Sequence, residues 1–170
     1  MIGLLTMLAA CDDSPAPPVG QAPPTEVEPP TLPAVVTPSL PPEPEPEATP
    51  TDLLLSTRGN HMALTKAALS APAGPVRLTF TNRATEPTML HNMLIIRADH
   101  TDEIGLAGID AGPDRDYVPA HDAVLAASPL LSPEESAELL VTLDAGTYHY
   151  LCTFPGHYLT EKGTLQISAP

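Results

Sequence analysis

The chain has 170 residues, with 7 basic and 21 acidic side chains and a formal net charge of −14. All seven Lys and Arg lie after residue 51 and form no stripe, which excludes a surface that binds nucleic acid by releasing counterions. Such an acidic balance favours solubility and basic protein partners, and the length suits one domain of ordinary size plus an appendage.

The appendage comes first. Residues 1–11 are a short apolar run ending in Leu8-Ala9-Ala10-Cys11. The run is too short to span a bilayer and resembles the end of a bacterial lipoprotein signal, with Cys11 to be lipidated and exposed as the new N-terminus. The usual basic n-region is missing, as expected if the true start lies upstream. Residues 12–51 hold 14 of the 23 prolines and seven carboxylates, with no Lys or Arg. That composition cannot bury enough apolar surface to offset its ordering entropy and predicts a disordered, polyproline-like spacer. Fully extended, it reaches about 120 Å at roughly 3.1 Å per residue. Asp12 after Cys11 hints at retention in the inner membrane of a two-membrane cell. A lipidated Cys11 would leave Cys152 without a disulfide partner. A free thiol outside the cytoplasm is an oxidation liability, and is usually buried or holds a metal.

From residue 52 to the end, short apolar runs alternate with turn residues. Residues 75–82 (PVRLTFTN) alternate as a strand does. Residues 89–97 (MLHNMLIIR) form a largely apolar second one. A long Gly- and Asp-containing stretch, 99–127, carries little strand signal and predicts one or two short helical turns. Strands follow at 137–143, at 147–152 after an Asp-Ala-Gly turn, and at 163–168. Strands spaced by turns predict an all-β, antiparallel sandwich.

The chemistry concentrates at the end, in YLCTFPGHYLTEKG. Cys152 ends one strand, His157 stands on a Pro-Gly turn, and Lys162-Gly163 open the next strand. A loop this tight can aim a thiolate and an imidazole at one point. A third ligand must come from elsewhere, and His91, in an apolar strand, is the best candidate. A thiolate with two imidazoles selects copper or zinc over harder ions. A His₂Cys set with a weak axial donor is the geometry of electron-transfer copper, whereas zinc more often takes four strong donors.

CTFPGHYLTEKGTL resembles the copper loop of the azurins and auracyanins, small blue copper proteins of the cupredoxin family. MLHNM is similar to the strand that carries that family's first histidine, and GIDAGPDRDYVPAHD to its helical flap. The resemblance spans most of residues 60–170. It implies an eight-stranded Greek-key sandwich that binds one copper near one end and cycles Cu(I)/Cu(II). His91, Cys152 and His157 would then be the ligands, with the edge of His157 reaching the surface. Asn92 and Thr153 would tie the two ligand segments together, a role that sets ligand orientation. The Leu90 backbone carbonyl would match a weak axial oxygen.

One position departs from the pattern. Where the family places methionine, four residues after the second histidine, this chain has Glu161. A carboxylate there favours Cu(II) over Cu(I), lowers the potential and raises the affinity for zinc. The alternative is that Glu161 turns to solvent or pairs with a base, leaving the Leu90 carbonyl as the only axial group. Met89, Leu90, Phe154, Pro155 and Leu159 would ring the exposed edge of His157 as an apolar docking patch, with Met62 near it. Simple loop packing is the competing explanation. His61, His100, His121 and His149 read as surface or structural residues.

Two functions fit. One is a lipid-anchored carrier of single electrons between extracytoplasmic redox proteins, such as c-type cytochromes or a terminal oxidase, with no small-molecule substrate. The other is a copper buffer or delivery protein without fast redox turnover. A multicopper oxidase would need further His clusters or a second domain, and no hydrolase triad is present.

Overall fold

The computed structural model describes residues 49–169. The signal-like segment with Cys11, and all but the last three residues of the spacer, lie outside the described residues. Two sheets face each other. The first has strand order β2-β1-β4-β7, formed by β1 (Thr51–Arg58), β2 (His61–Leu64), β4 (Gly74–Thr81) and β7 (Ser136–Leu143). The second has order β3-β9-β8-β5-β6, formed by β3 (Ala68–Pro72), β5 (Leu94–Arg97), β6 (Val124–Ala127), β8 (Gly146–Leu151) and β9 (Lys162–Ser168). The expected sandwich is therefore present, with nine strands among the described residues rather than eight. Two pairings, β1 with β4 and β3 with β9, are parallel. The chain crosses between sheets several times, and such crossings let strands distant in sequence lie side by side in the same direction.

Alternation builds the core. In β4 the side chains of Val76, Leu78 and Phe80 point inward and are fully buried, meeting Leu139, Ile95, Tyr150, Leu165 and Ile167 between the sheets. Burial of each large apolar side chain contributes about 1.5–3 kcal/mol. The strand β5 reads as unbroken apolar sequence because both its faces are covered. Met93 and Ile95 face the sandwich core, while Leu94 and Ile96 pack with Ile104, Ala123 and Leu151.

Ile104 belongs to α1 (Thr101–Ala111), an eleven-residue helix flanked by 3₁₀ turns at Ala98–His100 and Pro113–Arg115. It is longer than the one or two turns expected. Gly105 and Gly108 dilute the helical pattern in the sequence, yet both are buried contacts. A Cβ on Gly105 would collide with the Tyr158 ring, and one on Gly108 would lie 2.7 Å from Thr153 Cβ. The missing side chains let α1 lie directly on the 152–161 loop.

The strand expected over residues 89–97 is shorter. Regular pairing starts at Leu94. Before it, His91 makes one isolated antiparallel bridge with Leu131, through His91 N–H to Leu131 O at 3.1 Å and Leu131 N–H to His91 O at 2.7 Å. Side chains hold further backbone groups: Asn82 Nδ2 donates to the carbonyls of Met89 and Leu131, and Ser128 Oγ accepts from Met93 N–H. The segment is thereby freed from the ladder and fixed all the same.

Candidate metal centre

Strand register assembles the site. Leu94 pairs with Leu151, so the residues just before β5 and just after β8 emerge at the same end of the sandwich. Leu151 also pairs with Lys162, which brings Glu161 beside Cys152, and Cys152 N–H donates to Glu161 O at 2.9 Å. Gly156, at φ 87°, takes the left-handed conformation that turns the loop into the 3₁₀ segment His157–Leu159. Glu161 N–H then donates to His157 O at 2.8 Å, and His157 N–H to Phe154 O at 3.0 Å. Three donors within one short loop are held mainly by the loop's own backbone.

Four side chains converge. The nearest atoms are His91 Nδ1, His157 Nδ1, Cys152 Sγ and Glu161 Oε2, with candidate ligand atoms all within 4.8 Å of one another. Glu161 Oε2 lies 2.8 Å from His91 Nδ1 and 3.3 Å from His157 Nδ1. Cys152 Sγ lies 4.0 Å from His91 Nδ1 and 3.6 Å from His157 Nδ1. The two Nδ1 atoms face each other at 3.2 Å. His91, Cys152 and Glu161 are completely buried, and His157 keeps 5% of its surface exposed. Glu161 therefore points inward; the alternative that it turns to solvent does not hold.

The donor set fits a resident cation. Glu161 Oε1 is buried with no hydrogen-bond partner, an expensive arrangement for a carboxylate unless a cation beside it compensates. His91 Nδ1, turned to the cluster's centre, would hold an ion as the unprotonated nitrogen of the neutral ring, its proton passing from the Glu161 hydrogen bond to Nε2. Burial pushes the Cys152 thiol far up, and the Glu161 charge pushes it further. A cation must supply what makes the thiolate. Burial also pushes the Glu161 carboxyl up, but hydrogen bonds from His157 and His91 outweigh this and hold it below the usual carboxylate range. Glu161 thus presents an anionic oxygen to the centre.

A polar clamp surrounds the donors. Asn92 Oδ1 accepts from Thr153 N–H at 2.8 Å, and Asn92 Nδ2 donates to Thr153 Oγ1 at 2.8 Å and to Asp116 O at 2.7 Å. Thr153 Oγ1 donates to Tyr117 O at 2.7 Å. The bonds between Asn92 and Thr153 join the segment that carries His91 to the loop that carries Cys152. The clamp's outer half carries no sequence signal: Asp116 and Tyr117 are consecutive non-glycine residues in the left-handed region, at φ 52° and 59°, each aiming its carbonyl inward. Backbone held there costs of order 1–3 kcal/mol per residue and persists only where surroundings fix it. Asn82, read from sequence as a strand end, also proves to be a buried anchor of the His91 segment.

The expected patch residues lie on the loop and around it. Phe154 is half-buried, with its ring 4.8 Å from that of His157 and 5.1 Å from that of Tyr117. Pro155 and Leu159 are exposed, and Met89 and Leu90 half-buried. Met62 is exposed, and its carbonyl accepts from Thr160 Oγ1 at 2.8 Å, so it borders the same loop. His61 is exposed, and His149 meets Thr101 Oγ1 at 2.5 Å. His100 and His121, which sequence spacing left as separate surface residues, come together on Glu103.

The family profile described as copper binding proteins, plastocyanin/azurin family, matches residues 51–168. The chain belongs to this copper-binding family. It is 33% identical to auracyanin-A of Chloroflexus aurantiacus over 124 residues, covering 70% of this chain and 75% of that protein. It is 36% identical to outer membrane protein H.8 of Neisseria meningitidis over 98 residues, covering 53% of this chain and 52% of that one. The dithionite-reduced auracyanin of the photosynthetic bacterium Roseiflexus castenholzii superposes with a TM-score of 0.65 at 30% identity, over 71% of this chain and 99% of that structure. This chain is accordingly a cupredoxin, and its cofactor is copper.

Proposed function

We propose that this cupredoxin carries single electrons between redox proteins outside the cytoplasm, with copper held by His91 Nδ1, His157 Nδ1, Cys152 Sγ and Glu161 Oε2. The carrying observation is the convergence of these four buried donors. When bound, copper supplies one-electron exchange between its +1 and +2 states. His91, locked by its bridge to Leu131, and Cys152, locked by its bond to Glu161 O, keep their positions in either state. Asn92 and Thr153 keep the two ligand segments in register. His157, the one donor with an exposed edge, is the route for electrons, and Met62, Phe154, Pro155 and Leu159 offer the partner an apolar landing surface. In this reading the partners are redox proteins such as c-type cytochromes or a terminal oxidase. The Leu90 carbonyl, next in chain to His91, would be a further weak donor to the ion.

In the same reading, lipidated Cys11 anchors the chain to an envelope membrane, which would raise the domain's effective concentration near partners. The location is extracytoplasmic. One relative, H.8, is an outer membrane protein by name, which supports this reading.

Glu161 supports a second reading, a copper buffer or delivery protein. A buried anionic oxygen strengthens the hold on Cu(II), and on Zn(II), relative to Cu(I). The test is to load the full chain with Cu(II) and record visible absorption, paramagnetic resonance and electron self-exchange. An intense thiolate-to-copper band with rapid exchange is the result expected of the carrier. The band with slow exchange and ready copper release would favour the buffer. Absence of the band would overturn the proposed ligand set.

A further inference from the structure

A second set of metal-ligating side chains lies apart from the copper centre, where the 3₁₀ turn Ala98–His100 runs into α1. His100 Nδ1 is 2.8 Å from Glu103 Oε2, one helical turn on, and His121 Nε2 is 3.2 Å from Glu103 Oε1. The two rings stand with centroids 5.3 Å apart. The three candidate ligand atoms lie within 4.8 Å of one another, on a surface that water reaches. The geometry points to an exchangeable surface site for a divalent transition ion of the zinc type, bound by His100, Glu103 and His121.

The donor chemistry selects the ion. Two imidazoles and one carboxylate suit Zn²⁺ or Cu²⁺, and not Mg²⁺ or Ca²⁺, which prefer all-oxygen shells. Three protein donors on an open face leave coordination positions for water, as in accessible zinc sites. Exposed Asp99, Asp102 and Asp122 stand within a residue of these donors in the chain and add negative charge, which Lys162, 3.7 Å from Asp102, offsets in part.

The site is also partly preformed, because one carboxylate already gathers both rings. It is gathered there by protons, and a metal ion must replace them. His121 Nδ1 accepts from Ala123 N–H at 3.0 Å, so the neutral ring carries its proton on Nε2 and donates it to Glu103. Coordination through Nε2 moves that proton to Nδ1 and breaks the Ala123 bond. At His100 the proton moves from Nδ1 to the other ring nitrogen. No proton need leave either neutral ring, and the Ala123 amide becomes a reporter of the event.

The test uses the full chain with copper in the buried centre, titrated with Zn²⁺ by calorimetry while the visible band is followed. His100→Gln, Glu103→Gln and His121→Gln are run in parallel; none touches the copper donors, and an unchanged band together with an unchanged melting curve shows that each has folded. The expected result is one Zn²⁺ per chain whose binding weakens about 10-fold or more in each variant, with the band unchanged. The Ala123 amide resonance should shift in step with binding. Zinc binding of equal strength in all three variants would overturn the site, as would heat that appears only as the band fades, or no heat at all. If the buried centre takes no copper, the Ala123 amide and the His100 and His121 ring resonances still report the surface ion, so the two readings fail separately.

Discussion

Two clusters in this molecule each pair two imidazoles with one carboxylate, and they differ in what surrounds them. Around Glu161 nothing but protein is available: His91 and Glu161 are fully buried, two of the polar atoms have no partner, and a thiol completes the group. Around Glu103 water is available to every member, and side-chain exposures are 29% for His121 and 58% for Glu103. Burial converts the same donors from a loose network into a fixed coordination shell, because unpaired charge in a low-dielectric interior is costly and geometry cannot relax. Exposure leaves the second cluster free to hydrate and its ion free to exchange. The depressed Glu103 carboxyl, set by its bonds from His100 and His121, contributes little to folding because exposed ion pairs contribute little.

Substitutions can break this contrast. The largest effect is expected at Cys152. Cys152→Ser should abolish the intense visible band and weaken Cu(II) binding by more than about 100-fold, since even residues behind the ligands are worth 10–100-fold; a competition titration reads it. Next is Gly108→Ala, which drives a methyl group into Thr153 and should cost about 1–3 kcal/mol in denaturant unfolding, as overpacking does. Glu161→Met removes the anionic oxygen and should raise the reduction potential by at least about 60 mV, one factor of ten in the preference for Cu(II). An unchanged or lower potential would show that Glu161 gives the copper nothing. The smallest effect is expected for Glu103→Gln, which should leave the visible band and the potential where they were.

Much of the four-residue cluster could be read in advance because three of its members, Cys152, His157 and Glu161, occupy ten consecutive residues. Spacing within a loop survives folding unchanged. His91 was legible for another reason, as a polar residue in an apolar stretch. The inward turn of Glu161 was not, since sequence leaves open which way a loop side chain faces. The zinc-type cluster stayed hidden because its members come together only when α1 carries the chain from His100 round to His121. The length of α1 was obscured by the glycines that let it pack close. The left-handed pair Asp116-Tyr117 left no trace, as neither residue is the glycine that usually marks such a conformation.

The backbone bond from Cys152 to Glu161 O closes a loop that contains three of the four proposed donors, while His91 stands 61 residues away from Cys152 in the chain. An unfolded chain keeps neighbours as neighbours. Cys152, His157 and Glu161 can therefore still chelate copper after the sandwich has melted, and only the contribution of His91 disappears with the fold. Ligand affinity translates fully into thermal protection when the denatured ensemble binds nothing. Here the denatured ensemble competes, so copper should raise the melting temperature by less than its grip on the native protein implies. A chain emerging in its compartment can by the same token capture the ion before it has folded around it.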